Sequence, residues 1–150
     1  MKIYNPQVIL FVADVARAAR FYAALGFNEE FRTTGTGTAP VKIEMSLEGF
    51  ELGLALPGPM AEAHGLTPVT AGHRASLTLW TDDAAAAYAA ALDAGAKPLQ
   101  GPHPFLDGKL RVAFVEDFDG HPIQFVERKT TSGRSEAEAG TQDSCRTTGS

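Results

Sequence analysis

Val8-Ile9-Leu10-Phe11-Val12-Ala13-Asp14 runs into an Ala-rich stretch that stops at Gly26, and 69 residues later the pattern returns. Leu77-Thr78-Leu79-Trp80-Thr81-Asp82-Asp83 runs into a second Ala-rich stretch that stops at Gly95. The spacing carries Leu10 to Leu79, Phe11 to Trp80, Asp14 to Asp83, Ala18 to Ala87 and Gly26 to Gly95 without a gap. The endings correspond as well. Glu48-Gly49-Phe50-Glu51-Leu52-Gly53-Leu54 is similar to Asp119-Gly120-His121-Pro122-Ile123-Gln124-Phe125, now at a separation of 71. A duplicated module of this length implies two similar halves related by a pseudo-twofold, with a ligand cleft between them.

Each copy reads as one strand, one helix and three strands. Residues 3–12 are apolar and β-branched, with Pro6 near the start, where a missing N–H does least harm. Asp14 is placed to cap a helix over 15–25, and Gly26 to end it in a left-handed conformation. Strands are expected at 28–34, 40–47 and 50–56, with Glu48-Gly49 as a tight turn. Residues 57–73, with Pro57-Gly58-Pro59, read as a connecting loop. The second copy gives a strand at 75–81, a helix at 84–94, and strands at 97–101, 109–116 and 121–127, with turns at Asp107-Gly108 and Asp119-Gly120. The expected fold class is therefore α+β: two tandem βαβββ modules forming one curved, mainly antiparallel sheet with a concave ligand cleft. A single domain is expected over 1–129, with module one at 1–56, a linker at 57–73 and module two at 74–129. Residues 130–150 hold no large apolar side chain and are expected to be a disordered polar tail.

Composition narrows the function. The 150 residues are 44% hydrophobic and 21% charged, as in ordinary globular chains. The net charge of −5 argues against nucleic acid, whose binders carry a basic stripe. No polybasic run or bilayer-length apolar stretch points to a membrane. The single cysteine, Cys145, excludes an internal disulfide framework. The first residues lack a signal-peptide layout, so a cytoplasmic protein is expected.

The organisation resembles the vicinal oxygen chelate superfamily, which includes glyoxalase I, fosfomycin-resistance enzymes, extradiol dioxygenases and bleomycin-resistance proteins. Val12-Ala13-Asp14, Phe21-Tyr22 and Leu25-Gly26-Phe27 are similar to its strand, Asp cap, "FY" and "LGF" segment. Phe114-Val115-Glu116-Asp117-Phe118-Asp119-Gly120-His121-Pro122-Ile123 is similar to its terminal "F-x-D-P-D-G-N-x-I" hairpin, with Phe118 in place of the usual proline. The resemblance covers residues 3–127. It implies a metal site built from His, Glu or Gln on four strands, and its positions fall on Gln7, Gly53, Ser76 and Gln124. That set has no imidazole and no carboxylate to offset the loss of an ion's hydration, so no metal and no cofactor are expected. His64 and His73 fall in the linker, His103 between prolines and His121 in the last turn, and each reads as a surface histidine.

Strand alternation puts Gln7, Ile9 and Phe11 on the cleft side, with Ser76, Thr78 and Trp80 as their counterparts. Glu51 shares the side of Gly53, either as a solvated carboxylate or as an anchor for a cationic or hydrogen-bonding ligand. Arg111, Ala113 and Val115 are expected to line a further wall with Gln124, and Phe105-Leu106 to form a hairpin-tip lid. Phe11 and Trp80 suit either ligand stacking or a core or interface, and Gln7 and Gln124 either a ligand or buried backbone. No G-x-S-x-G elbow or phosphate-cradling G-x-G-x-x-G is present. The reading is a metal-independent binder of a small organic ligand, an antibiotic or aromatic metabolite, of the bleomycin-resistance type. The alternative is a metal-dependent lyase, isomerase or dioxygenase of the glyoxalase type. Exposed edges, and the resemblance, imply a homodimer.

Overall fold

The computed structural model describes residues 1–130, so the expected tail at 130–150 falls almost wholly outside the described residues. The first module is β1 (Gln7–Phe11), α1 (Val15–Ala24), β2 (Asn28–Thr34), β3 (Pro40–Leu47) and β4 (Phe50–Ala55). A helix, α2 (Pro57–His64), follows. The second module is β5 (Leu77–Trp80), α3 (Ala84–Asp93), β6 (Lys97–Phe105), β7 (Leu110–Glu116) and β8 (Pro122–Arg128). The Asp14 carboxylate accepts from Arg17 N–H at 3.0 Å and that of Asp83 from Ala86 N–H at 2.9 Å, so both modules start their helix with the same cap. Gly26 and Gly95 follow those helices at φ +105° and +106°, which glycine alone adopts without strain.

The sheets differ from the expectation. Instead of one curved, mainly antiparallel sheet with a concave cleft, two separate four-stranded sheets form, ordered β1-β4-β3-β2 and β5-β8-β7-β6. Both are mixed and open. The reason is directional: α1 carries the chain back, so β2 runs as β1 does, β3 opposes it and β4 restores the direction. When β4 settles beside β1, with Gln7 opposite Glu51 and Ile9 opposite Gly53, the pair must be parallel. The β5–β8 pair repeats this, with Thr78 opposite Gln124.

Two smaller departures have local causes. β1 begins at Gln7 rather than residue 3, because Asn5 takes a left-handed φ of 52° just before Pro6. Residues 57–64 are helical rather than loop: Pro57 sits at the start, where its fixed φ favours a first turn, and Gly65 caps the end in the left-handed region. Among the described residues no helix is long and apolar enough to cross a membrane.

One face of each sheet is packed under its helix. Ile43, Met45, Leu52 and Leu54 pack with Val15, Ala18, Phe21 and Tyr22, and Val115, Ile123 and Phe125 join the same core from the second module. Each large apolar side chain so buried stabilises the fold by about 1.5–3 kcal/mol. The modules are pinned together where α1 meets the β7–β8 turn. Tyr22 Oη donates to Asp117 Oδ2 at 2.7 Å, and Ala13 N–H donates to Asp119 Oδ1 at 2.9 Å. The Phe118 ring packs edge-on to Phe21 at 5.5 Å and lies 3.8 Å from the Arg17 guanidinium.

Candidate functional site

The faces turned away from the helices carry the chemistry. On the first sheet, Gln7, Ile9, Phe11, Glu51 and Gly53 share this outer face with Lys42, Glu44 and Ser46, because Glu44 pairs with Gly53 and Ser46 with Glu51. Lys42 Nζ donates to Glu44 Oε1 at 3.0 Å. That hydrogen bond holds the Glu44 carboxyl below its ordinary range, with burial opposing and the Gln7 amide assisting. Gly53 leaves room for this arrangement. A Cβ there would meet Ile9 Cγ1 at 3.0 Å and Lys42 Cε at 3.5 Å, so the lysine stem occupies space that a larger residue would need.

This placement tests the donor set the resemblance assigns to a metal. Gln7 and Gly53 lie on the first sheet, with an ammonium group beside them. Ser76 and Gln124 belong to the second: Ser76 Oγ donates to the Pro122 carbonyl at 3.3 Å, and Gln124 Oε1 accepts from Thr78 Oγ1 at 3.2 Å. Neutral donors already engaged, together with a resident cation, do not fit a divalent ion. Among the described residues no group of three or more His, Cys, Asp or Glu side chains is arranged to hold one.

The ten expected ligand residues do not line one wall. Thr78 and Trp80 line a cavity of about 530 Å³, with Phe27, Leu47, Phe50 and Leu79. Ile9, Phe11 and Ser76 line another of about 710 Å³, closed by residues 67–77 and by the Asp119–Pro122 turn. Gln7, Glu51, Phe105, Arg111 and Gln124 line neither. Arg111 pairs with Glu127, and so shares its side of the sheet with Ala113 and Val115, which are fully buried against the core. The expected wall of Arg111, Ala113 and Val115 with Gln124 therefore does not form. Phe114 faces the side of Gln124 instead. Phe105 and Leu106 are half-exposed at the β6–β7 turn, and Trp80 is 59% exposed, with the Arg128 guanidinium 4.9 Å from its ring.

Sequence reasoning also passed over a cluster in the last turn. Asp117 is 2% exposed, and its carboxylate accepts from Tyr22 Oη, from the backbone N–H groups of Asp119 and His121 at 2.9 Å each, and from His121 Nδ1 at 2.8 Å. Burial opposes ionisation of Asp117, but the bonds from His121 and Tyr22 outweigh it and lower its pKa. For His121, burial disfavours the charge, while Asp117 and then Asp119 raise the pKa above the ordinary value. For Tyr22, burial and the Asp117 charge both push the phenol far up, so it stays a donor. Its partner lies 95 residues away, a distance no local pattern reveals.

The two cavities correspond in part under the duplication. Each lies beside the first strand of one module and the last turn of the other: Leu77–Trp80 with Glu48–Phe50, and Val8–Phe11 with Asp119–His121. Solved structures share this architecture. A glyoxalase-related enzyme from Fulvimarina pelagi is 22% identical, over 83% of this chain and 88% of its own, at a TM-score of 0.71. A hypothetical protein from S. aureus is 19% identical, over 85% and 95%, at 0.71. An antibiotic binding protein from a Streptomyces species is 23% identical, over 86% and 99%, at 0.61. At these identities the likeness is one of fold. No curated protein matches the chain in sequence. The model of the Glyoxalase/Bleomycin resistance protein/Dioxygenase superfamily matches residues 6–125, most of the chain, and the protein belongs to that superfamily.

Proposed function

We propose that the protein binds a small organic molecule, an antibiotic or other aromatic metabolite, without a metal, in the cavity walled by Trp80. The observation that carries this reading is that cavity's composition. About 530 Å³ lies within the range of small-molecule sites, and an exposed indole stands among Phe27, Phe50 and Leu79. Thr78 adds a hydroxyl to the same lining, held by its hydrogen bond to Gln124. The similar Streptomyces protein, an antibiotic binding protein, supports the ligand class. Phe11 has no part in stacking here, because it lines the other cavity.

Trp80 is the sole tryptophan, so its emission reads binding directly. A panel of aromatic antibiotics and metabolites should yield ligands that quench it saturably and raise the melting temperature. Base–aromatic stacking offers a scale of ~1–3 kcal/mol per contact, so Trp80→Ala should weaken the hits about 5- to 150-fold, measured by calorimetry. Hits that bind Trp80→Ala as tightly as wild type would place the ligand elsewhere. Metal-dependent turnover of glutathione adducts or catechols would replace this reading with the enzymatic one.

The same proposal includes a homodimer in the cytoplasm. Phe31 and Phe105 are exposed on the outer sheet faces, and a second copy would cover them. A monomeric mass at micromolar concentration would remove that part.

A further inference from the structure

The duplication puts a cavity beside the first strand of each module, and the turns that border the two differ in their side chains. At the turn that closes the 530 Å³ cavity, module one places Ser46, Glu48 and Phe50. Module two, 71 residues on, places Asp117, Asp119 and His121. Tyr22, which completes the hydrogen-bonded chain to Asp117, corresponds to Ala91 in the other helix. The Tyr22–Asp117–His121 chain therefore has no counterpart, and His121 lines the larger cavity.

Its geometry fixes which nitrogen faces outward. An ionised carboxylate only accepts, so Nδ1 of His121 carries the proton donated to Asp117. Nε2 makes no hydrogen bond among the described residues and is left for the cavity. The other charged groups lining the space are His73, Arg74, Glu116 and Asp119. Glu116 is engaged by His73 Nε2 at 2.8 Å, and Asp119 accepts from Ala13 N–H. Arg74 has neither an ion pair nor a hydrogen bond among the described residues. Among the donors of the lining, the Arg74 guanidinium and Nε2 of His121 have no hydrogen-bond partner among the described residues, and Ile9, Phe11, Pro68 and Val69 supply apolar surface in the same cavity, whose acids Glu116 and Asp119 each hold one donor.

We propose that the 710 Å³ cavity is a second binding site, for a small organic carboxylate whose anionic end is held by Arg74 and Nε2 of His121 and whose apolar body rests on Ile9 and Phe11. Two donors of different geometry suit the two oxygens of a carboxylate, and the guanidinium is the side chain best matched to it. The apolar wall selects an organic anion over an inorganic one. The site adjoins the Trp80 cavity, Phe50 and Leu77 lining both, but neither Arg74 nor His121 lines that one.

The test follows the His121 ring by long-range proton–nitrogen NMR while the full-length protein is titrated with benzoate, benzamide or inorganic phosphate. Benzoate should shift Nε2 saturably and raise the pH at which the ring titrates, while benzamide and phosphate should not. Arg74→Gln, which removes no hydrogen bond or ion pair among the described residues, should weaken benzoate about tenfold. His121→Asn keeps an amide donor for Asp117, and should weaken it similarly while still unfolding in one cooperative transition. An unshifted His121 at millimolar benzoate, equal binding of benzamide or phosphate, or full affinity in Arg74→Gln would each overturn the proposal. Trp80 emission reports the other cavity, so failure here is distinct from failure there.

Discussion

Gly26 and Gly95 form a matched pair in which the duplication supplies its own control. Both follow the helix of their module, at φ +105° and +106°, so replacing either with alanine imposes the same left-handed strain, about 1–2 kcal/mol. Their surroundings differ. A Cβ on Gly26 would meet only Leu47 Cδ1, at an ordinary 3.7 Å, whereas one on Gly95 would lie 2.7 Å from Phe118 Cε1 and 2.9 Å from Cζ. Phe118 cannot easily yield, because Phe21 and the Arg17 guanidinium hold its ring. Overpacking of this kind costs about 1–3 kcal/mol, so Gly95→Ala should lose ~2–5 kcal/mol and Gly26→Ala only the ~1–2 kcal/mol backbone share. Urea unfolding at fixed pH measures both. In a Phe118→Ala background the clash disappears, and Gly95→Ala should fall to the cost of Gly26→Ala, a coupling that a double-mutant cycle isolates. Equal losses in the two single variants, or no coupling to Phe118, would refute the idea that this ring is wedged between the modules.

Tyr22→Phe removes the hydroxyl that donates to buried Asp117 and should cost about 1.5–3 kcal/mol in urea unfolding, as expected for a bond to a charged group. Because the folded-state pKa of His121 is raised, its stabilising share is complete below the ordinary value of 6.5 and is lost as pH climbs through the higher folded value. Urea midpoints taken from about pH 5 to 9 should therefore decline at the upper end in wild type and stay flat there in His121→Asn. Asp117 acts in the opposite sense, its share being present above 3.8 and lost as pH falls through its lowered value. Lys42→Met leaves Glu44 without its ammonium partner, so carboxyl NMR should find Glu44 titrating at higher pH, and an unmoved titration would discard the pair.

How much of this was legible depended on the range of the interaction. The Asp caps, the glycines after both helices, and strands 28–34 and 40–47 follow from local periodicity and turn chemistry, and they form as read. The helix at Pro57–His64 was missed because it lacks an apolar stripe and its prolines read as a loop, although Pro57 occupies the one helical position that favours proline. The sheets were misjudged because alternation reports which side chains share a face, not which strands become neighbours. Arg111 was placed on the wrong face for a related reason: its register is set by pairing with Glu127, which the strand alone does not specify.

The polar residues that local pattern does not single out share one property: their meaning lies in a partner distant in sequence or beside them only in space. Lys42 becomes notable only beside Gly53, and His121 only once Asp117 is seen to bond Tyr22 across the module boundary. The duplication explains why such groups were free to change. Both copies must keep their caps, their post-helical glycines and a strand pairing that folds each sheet, so those positions match at fixed separation. The last turn of each module instead borders a cavity beside the opposite module's first strand, with Glu48 and Phe50 from one and Asp119 and His121 from the other among the lining. Phe50 and His121 occupy equivalent places there, yet one is apolar and the other can carry a charge. Where the two copies differ at the turn, the difference is chemical, and it puts an imidazole rather than a phenyl ring among the lining residues of the larger cavity contributed by module two.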